Sequence, residues 1–168
     1  GDWEMFGLIL RNGTVVTPHG TSRQDVAISG EAISACTSPD AIDTTQPKRS
    51  IDVNGKIVVP GGIDPHVHCK WIMPMPDGTF GFTEGPEIVS RAALYGGTTT
   101  LIDFAARLED IPFSEVIEKR DHDWVGNCYC DYSYHLMLLG DVEPPVLSEL
   151  EGLIGDGYPT IKIFTTNI

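Results

Sequence analysis

The sequence has no apolar run near the ~20 residues that a membrane-crossing helix needs, so no helical membrane span is expected. Basic residues are scarce. Eleven Lys and Arg stand against 24 Asp and Glu, a net charge of −13. Such a chain repels phosphate backbones and anionic lipid heads, which argues against nucleic acid and membrane surfaces as partners. The stretch from Gly1 to Arg11 carries Asp2 and Glu4 and no basic region, so it does not read as a secretory signal. The four cysteines, Cys36, Cys69, Cys128 and Cys130, form no C-x-x-C pair, which excludes a zinc knuckle and a thioredoxin motif. Free, buried thiols suit a reducing cytoplasm, the expected location. Cys128 and Cys130 lie in an apolar, aromatic run, and on a strand they would face the same way. The three Trp are scattered and form no stacking platform.

What remains is globular: 168 residues, 41% hydrophobic, with 18 Gly and 12 Pro marking many tight connections. Residues 1–58 read as a small β-sandwich segment. Phe6 to Leu10 and Thr14 to Thr17 flank Asn12-Gly13, a hairpin signal. Asp25 to Ile28 and Ala32 to Ala35 flank a turn at Ser29-Gly30-Glu31, and Ile51 to Val53 precedes Asn54-Gly55. So short a segment is marginal alone and needs something to pack on.

From residue 59 to 168 strand-like and helix-like runs alternate. Ile57 to Val59 leads into Gly61-Gly62-Ile63-Asp64-Pro65-His66-Val67-His68. Helices are expected over Glu84 to Tyr95, Phe113 to Trp124 and Pro144 to Ile154, and strands over Thr98 to Phe104, Asn127 to Leu139 and Thr160 to Thr166. That alternation predicts an α/β fold with a parallel sheet and about four βα units. A closed barrel needs eight.

His66 and His68 end an apolar strand, where two imidazoles two residues apart can reach one point. Neutral imidazole suits Zn²⁺, and strand C-terminal ends are where sites of parallel α/β folds lie. The bland alternative is two loop histidines; the preceding Gly-Gly pair and Asp64 favour the metal. Asp64 is either a residue that orients a ligand or a third ligand. Lys162 sits between Ile161 and Ile163, and a Lys in a buried strand is costly unless paired or modified. It is either a solvated Lys on an edge strand or a lysine that has reacted with CO₂, giving a carbamate whose two oxygens can bridge two metals. His135 reads as a core histidine with satisfied nitrogens, and His19 and His122 as surface residues.

At this point the chain resembles a family. Val58 to His68 is similar to the first barrel strand of the amidohydrolase superfamily. Ala92-Ala93-Leu94-Tyr95-Gly96-Gly97-Thr98-Thr99-Thr100-Leu101-Ile102-Asp103-Phe104 resembles the second strand of its dihydropyrimidinase, hydantoinase and allantoinase branch. Asp131 to His135 and Thr160 to Phe164 resemble the third and fourth, with Lys162 at the carboxylated-lysine position. The resemblance implies the N-terminal portion of a (β/α)₈ TIM-like barrel after a small sandwich. It also implies a site of two Zn²⁺ ions (Mn²⁺ or another divalent metal is the alternative) held in part by His66, His68 and the carboxylated, bridging Lys162. A hydroxide bridging the metals would open a cyclic amide such as a dihydropyrimidine or hydantoin, in a homo-tetramer. The branch takes two further His ligands and a catalytic Asp from later strands, so this chain by itself is expected to be inactive, with no catalytic acid or base to assign. Where the branch carries a Tyr that holds the substrate oxyanion, Asn167 stands here, and its amide can also donate. The segment Cys69 to Pro76 departs from the family pattern and is either a substrate loop or a packing loop. The alternative to an enzyme is a catalytically silent relative that keeps the fold as an assembly scaffold; the joint presence of His66, His68 and Lys162 opposes it.

Overall fold

The structure is a computed structural model, and it describes residues 6–42, 47–108, 111–140 and 142–164. The chain divides into two compact units, Gly1–Pro60 and Gly61–Ile168.

The first unit holds one five-stranded sheet among its described residues. Strand β1 (Leu8–Thr17) pairs antiparallel with β2 (Gly20–Ser29), which pairs antiparallel with β3 (Ala32–Thr37). On its other edge β1 takes two short parallel partners, β4 (Ser50–Asp52) and β5 (Ile57–Val58). Ile9 and Ala27 are fully buried at its centre.

The Asn12-Gly13 hairpin expected from the sequence is not there: β1 runs straight through it. Asn12 adopts φ 63° and the register with β2 shifts between Leu10 and Gly13, a β-bulge. The carboxylate of Asp25, 1% exposed, explains why. It accepts the Asn12 amide at 2.8 Å and pairs with Arg11 at 3.2 Å, holding the bulge open. Ile57 and Val58, the start of the run expected to lead into the histidine segment, fall within the 1–58 β segment. As β5 they belong to this sheet and do not lead the strand before the histidines.

The second unit is a four-stranded parallel sheet in the order β11–β10–β9–β6. Its strands are β6 (Gly62–Asp64), β9 (Thr98–Ala106), β10 (Asp131–Met137) and β11 (Ile161–Lys162). Helices α1 (Pro86–Tyr95), α2 (Phe113–Trp124) and α3 (Pro144–Gly155) make the crossovers. This is an α/β arrangement with the parallel sheet of a half-barrel. Between β6 and α1 lies a small antiparallel hairpin, β7 (Ile72–Pro74) with β8 (Phe80–Phe82).

The helices form because their apolar residues recur at helical spacing. In α2, Phe113, Val116, Ile117 and Trp124 are buried; in α3, Val146, Leu150 and Leu153. They pack on the strand residues that point the same way, Leu101, Ala105, Tyr134 and Leu136. Each such large side chain contributes about 1.5–3 kcal/mol on burial. Gly61 lies so close to β9 that a Cβ there would sit 1.9 Å from the Thr99 hydroxyl, so only glycine lets the chain enter β6 on this path.

Strand lengths differ from expectation at the ends. Strand β10 starts at Asp131, not Asn127. Cys128 and Cys130 therefore precede it in a turn, where the Cys128 thiol donates to the Cys130 carbonyl at 3.1 Å. The last strand pairs only at Ile161 and Lys162, and residues 165–168 lie outside the described residues.

Candidate metal centre

Alternation along the strands sorts the second unit into two faces. Leu101, Asp103, Ala105, Tyr134 and Leu136 point to the helices. Phe104 and His135 are in register on the opposite face, and so are Met137 and Lys162 one step further along. That opposite face carries the residues singled out from the sequence.

His66 and His68 lie just past the end of β6, not within it. The strand alternation persists because the Val67 amide donates to the Ile102 carbonyl at 3.2 Å, and Val67 is buried while His66 is exposed. The two imidazoles consequently leave the chain on one side. Their Nε2 atoms are 3.2 Å apart.

Phe104, 2% exposed, is the floor beneath them. Its ring stacks on His68 at 4.9 Å between centroids and meets His66 at 4.8 Å and His135 at 5.2 Å. His135 is satisfied at both nitrogens. Nε2–H donates to the Pro65 carbonyl at 2.8 Å, so Nδ1 accepts the Thr160 hydroxyl at 2.7 Å. It thereby braces the residue before His66. Asp64 turns back on its own loop: Oδ1 accepts the His66 amide at 3.1 Å, an Asx turn that shapes the approach to the histidines.

The spacing of the imidazoles can be tested against a metal. Two nitrogens bound at ~2.0–2.1 Å in tetrahedral geometry lie about 3.3 Å apart. The 3.2 Å between the Nε2 atoms fits that separation. The protonation state fits as well. Burial lowers the His68 pKa below its ordinary 6.5; Asp103 pulls the other way, and the charges of His66, Arg120 and Lys162 add to the lowering. A neutral imidazole is the ligand form. Lys162 thus lies within electrostatic reach of His68, and its ammonium also sits 4.9 Å from the Phe164 ring centroid. Among the described residues no group of three or more His, Cys, Asp or Glu side chains comes together. Asn167 lies outside the described residues.

The segment after His68 folds as the β7–β8 hairpin, turned at Asp77-Gly78. Its start is tied down by a residue that sequence reasoning passed over. Asp103 is fully buried on the helix-facing side of β9, and its carboxylate accepts the Cys69 amide at 3.0 Å, the Trp71 indole N–H at 2.9 Å and Arg120 of α2 at 2.6 Å. The signal available in the sequence was a lone carboxylate in the apolar run TTTLIDF, where an unpaired charge is not tolerated.

No family model matches the chain. It is 34% identical over 158 residues to a D-hydantoinase of Streptomyces coelicolor, covering 93% of this chain and 33% of that protein. It is 33% identical over 162 residues to a dihydropyrimidinase of Rattus norvegicus, covering 94% of this chain and 30% of that one. The crystal structure of dihydropyrimidinase from Brevibacillus agri NCHU1002 superposes with a TM-score of 0.75 at 34% identity, over 92% of this chain and 32% of that chain. In sequence and in fold the chain matches an N-terminal portion of the amidohydrolase family, in its D-hydantoinase and dihydropyrimidinase branch. It spans about a third of the length of the curated relatives it matches.

Proposed function

We propose that these residues supply part of a binuclear zinc site that hydrolyses a cyclic amide, a hydantoin or a dihydropyrimidine ring, at the centre of a complete (β/α)₈ barrel. The observation that carries this reading is the convergence of the His66 and His68 Nε2 atoms on one point of the face that also bears Lys162. The names of the relatives support the substrate class. Cytoplasmic location and a homo-tetramer belong to the same proposal.

Bound there, zinc would supply Lewis-acid polarisation of the ring carbonyl and a water acidic enough to ionise near neutral pH. His66 and His68 would each offer an Nε2 lone pair to the metal, and the lowered pKa of His68 favours its neutral, ligating form. Lys162 would bond its Nζ to the carbon of CO₂ and release two protons, which turns an ammonium into an anionic carbamate with two donor oxygens. The Phe104 ring keeps water from beneath the histidines. Asp64 and His135 hold the Pro65–His66 peptide, one at its N–H and the other at its carbonyl. Three donors do not complete two metals, and no further cluster forms among the described residues. The remaining ligands and the catalytic carboxylate are therefore assigned to residues outside this set, and the 168 residues alone are expected not to turn over.

Ring opening tests this. The natural protein carrying these residues, loaded with zinc, is assayed on a 5-substituted hydantoin and on dihydrouracil. Opening of either ring that is lost on His66→Ala supports the reading; opening that survives His66→Ala sinks it.

A further inference from the structure

A histidine that binds a metal through one nitrogen is ordinarily oriented by a hydrogen bond from the other, to a carboxylate, a carbonyl or water. His68 has no such bond. Among the described residues its buried Nδ1 has no hydrogen-bond partner. Something else must fix the ring, and the contacts around it name the candidate. The Trp71 indole meets His68 edge-on, with centroids 4.8 Å apart and planes at 71°. That indole is held by Asp103 through its Nε1–H. The amide of Cys69, the next residue after His68, is held by the other oxygen of the same carboxylate. Arg120 closes the arrangement: it pairs with Asp103 at 2.6 Å, donates to the Cys69 carbonyl at 2.9 Å, and places its guanidinium 5.9 Å from the Trp71 ring centroid.

We infer that Asp103, clamped by Arg120, is a positioning residue for the metal ligand His68: it sets the imidazole from the backbone and the indole side, in place of the missing bond at Nδ1. The inference rests on the metal-site reading above. The carboxylate lies on the opposite face of β9 from the ligands, so it touches neither metal nor substrate. Its leverage comes from holding two of the neighbours that set where the ring points, the Cys69 backbone and the Trp71 indole, while Phe104 supports the ring from beneath. One carboxylate fixing a main-chain amide and an aromatic wall together gives a rigid ring at the cost of burying a charge, and Arg120 offsets that cost.

Cobalt(II) titration of the natural protein carrying these residues tests this, followed by the visible absorption of the bound ion and checked by the histidine ¹⁵N resonances. Wild type binds Co²⁺, and His68→Ala abolishes the band. Asp103→Asn keeps the shape of the side chain but turns an NH₂ group toward N–H donors. It should weaken Co²⁺ binding about tenfold or more, the range seen when the partners that orient a ligand are removed. That change leaves Arg120 without its buried charge partner, so the double variant Asp103→Asn with Arg120→Gln removes both charges together and is decisive if the single variant does not fold. Asp25→Asn is the control: it breaks the buried Arg11–Asp25 pair of the first unit and should leave Co²⁺ affinity unchanged. Wild-type affinity in the folded Asp103 variants overturns the inference while leaving the metal site standing. An equal loss in Asp25→Asn overturns it too, since the effect would then be general destabilisation. Failure of wild type to bind Co²⁺ overturns the metal-site reading itself.

Discussion

Replacing Phe104 by Ala should damage stability and site together. The ring is 2% exposed and touches four others: His66, His68, His135 and, at 6.3 Å, Trp71. Truncation removes the transfer free energy of a benzyl group and leaves a cavity, a combined loss of about 3–5 kcal/mol for a buried Phe. Domain stabilities are on the order of 5–15 kcal/mol, so much of the margin goes. With a urea slope of about 2 kcal/mol per molar, the midpoint should fall by about 2 M. Trp71 and Trp124 both lie in the second unit, and their fluorescence follows its unfolding. Phe104→Leu separates the two contributions. It keeps most of the volume and loses the ring contacts, worth about 0.5–1.5 kcal/mol. A loss under about 1 kcal/mol for Phe104→Ala would refute the idea that this ring is the floor under the histidines.

Two further outcomes follow from the same geometry. His68 has its pKa lowered in the folded chain, so below pH 6.5 the unfolded chain takes up a proton that the folded chain resists. Its contribution to stability is present above pH 6.5 and is lost as pH falls through the folded value. His68→Gln should flatten part of the acid side of a stability-against-pH curve measured by urea unfolding, and an unchanged curve would contradict the assignment. Cys69 is fully buried and burial pushes its thiol up to about 12, whereas Cys36 is exposed. Iodoacetamide at pH 8 should modify Cys36 readily and Cys69 only after unfolding; peptide mass spectrometry showing equal rates would be the contrary result.

Much of this site was legible because its residues announce themselves locally. His66-Val67-His68 carries its own geometry, since side chains two apart on extended backbone leave on one side wherever the pairing continues. Lys162 stood out because a charge between Ile161 and Ile163 needs a reason. The helices α1, α2 and α3 were legible within two residues at each end, because apolar period and Pro and Gly punctuation agree there. What failed depended on distant partners. Asn12-Gly13 has the composition of a hairpin turn, and it becomes a bulge only because Asp25, thirteen residues on, takes the Asn12 amide. Ile57 to Val59 looks like the strand that should lead into the histidines, but β1 captures it in parallel. Asp103 reads as an oddity in an apolar strand until Arg120, Cys69 and Trp71 close around it.

The central claim is that His66 and His68 hold zinc, and zinc X-ray absorption of the zinc-loaded natural protein carrying these residues tests it most directly. The account predicts a first shell of nitrogen and oxygen at about 2.0–2.1 Å with the outer-shell scattering of imidazole, lost in the His66→Ala/His68→Ala variant. A sulfur shell at about 2.3 Å, placing the ion on cysteine, would contradict it.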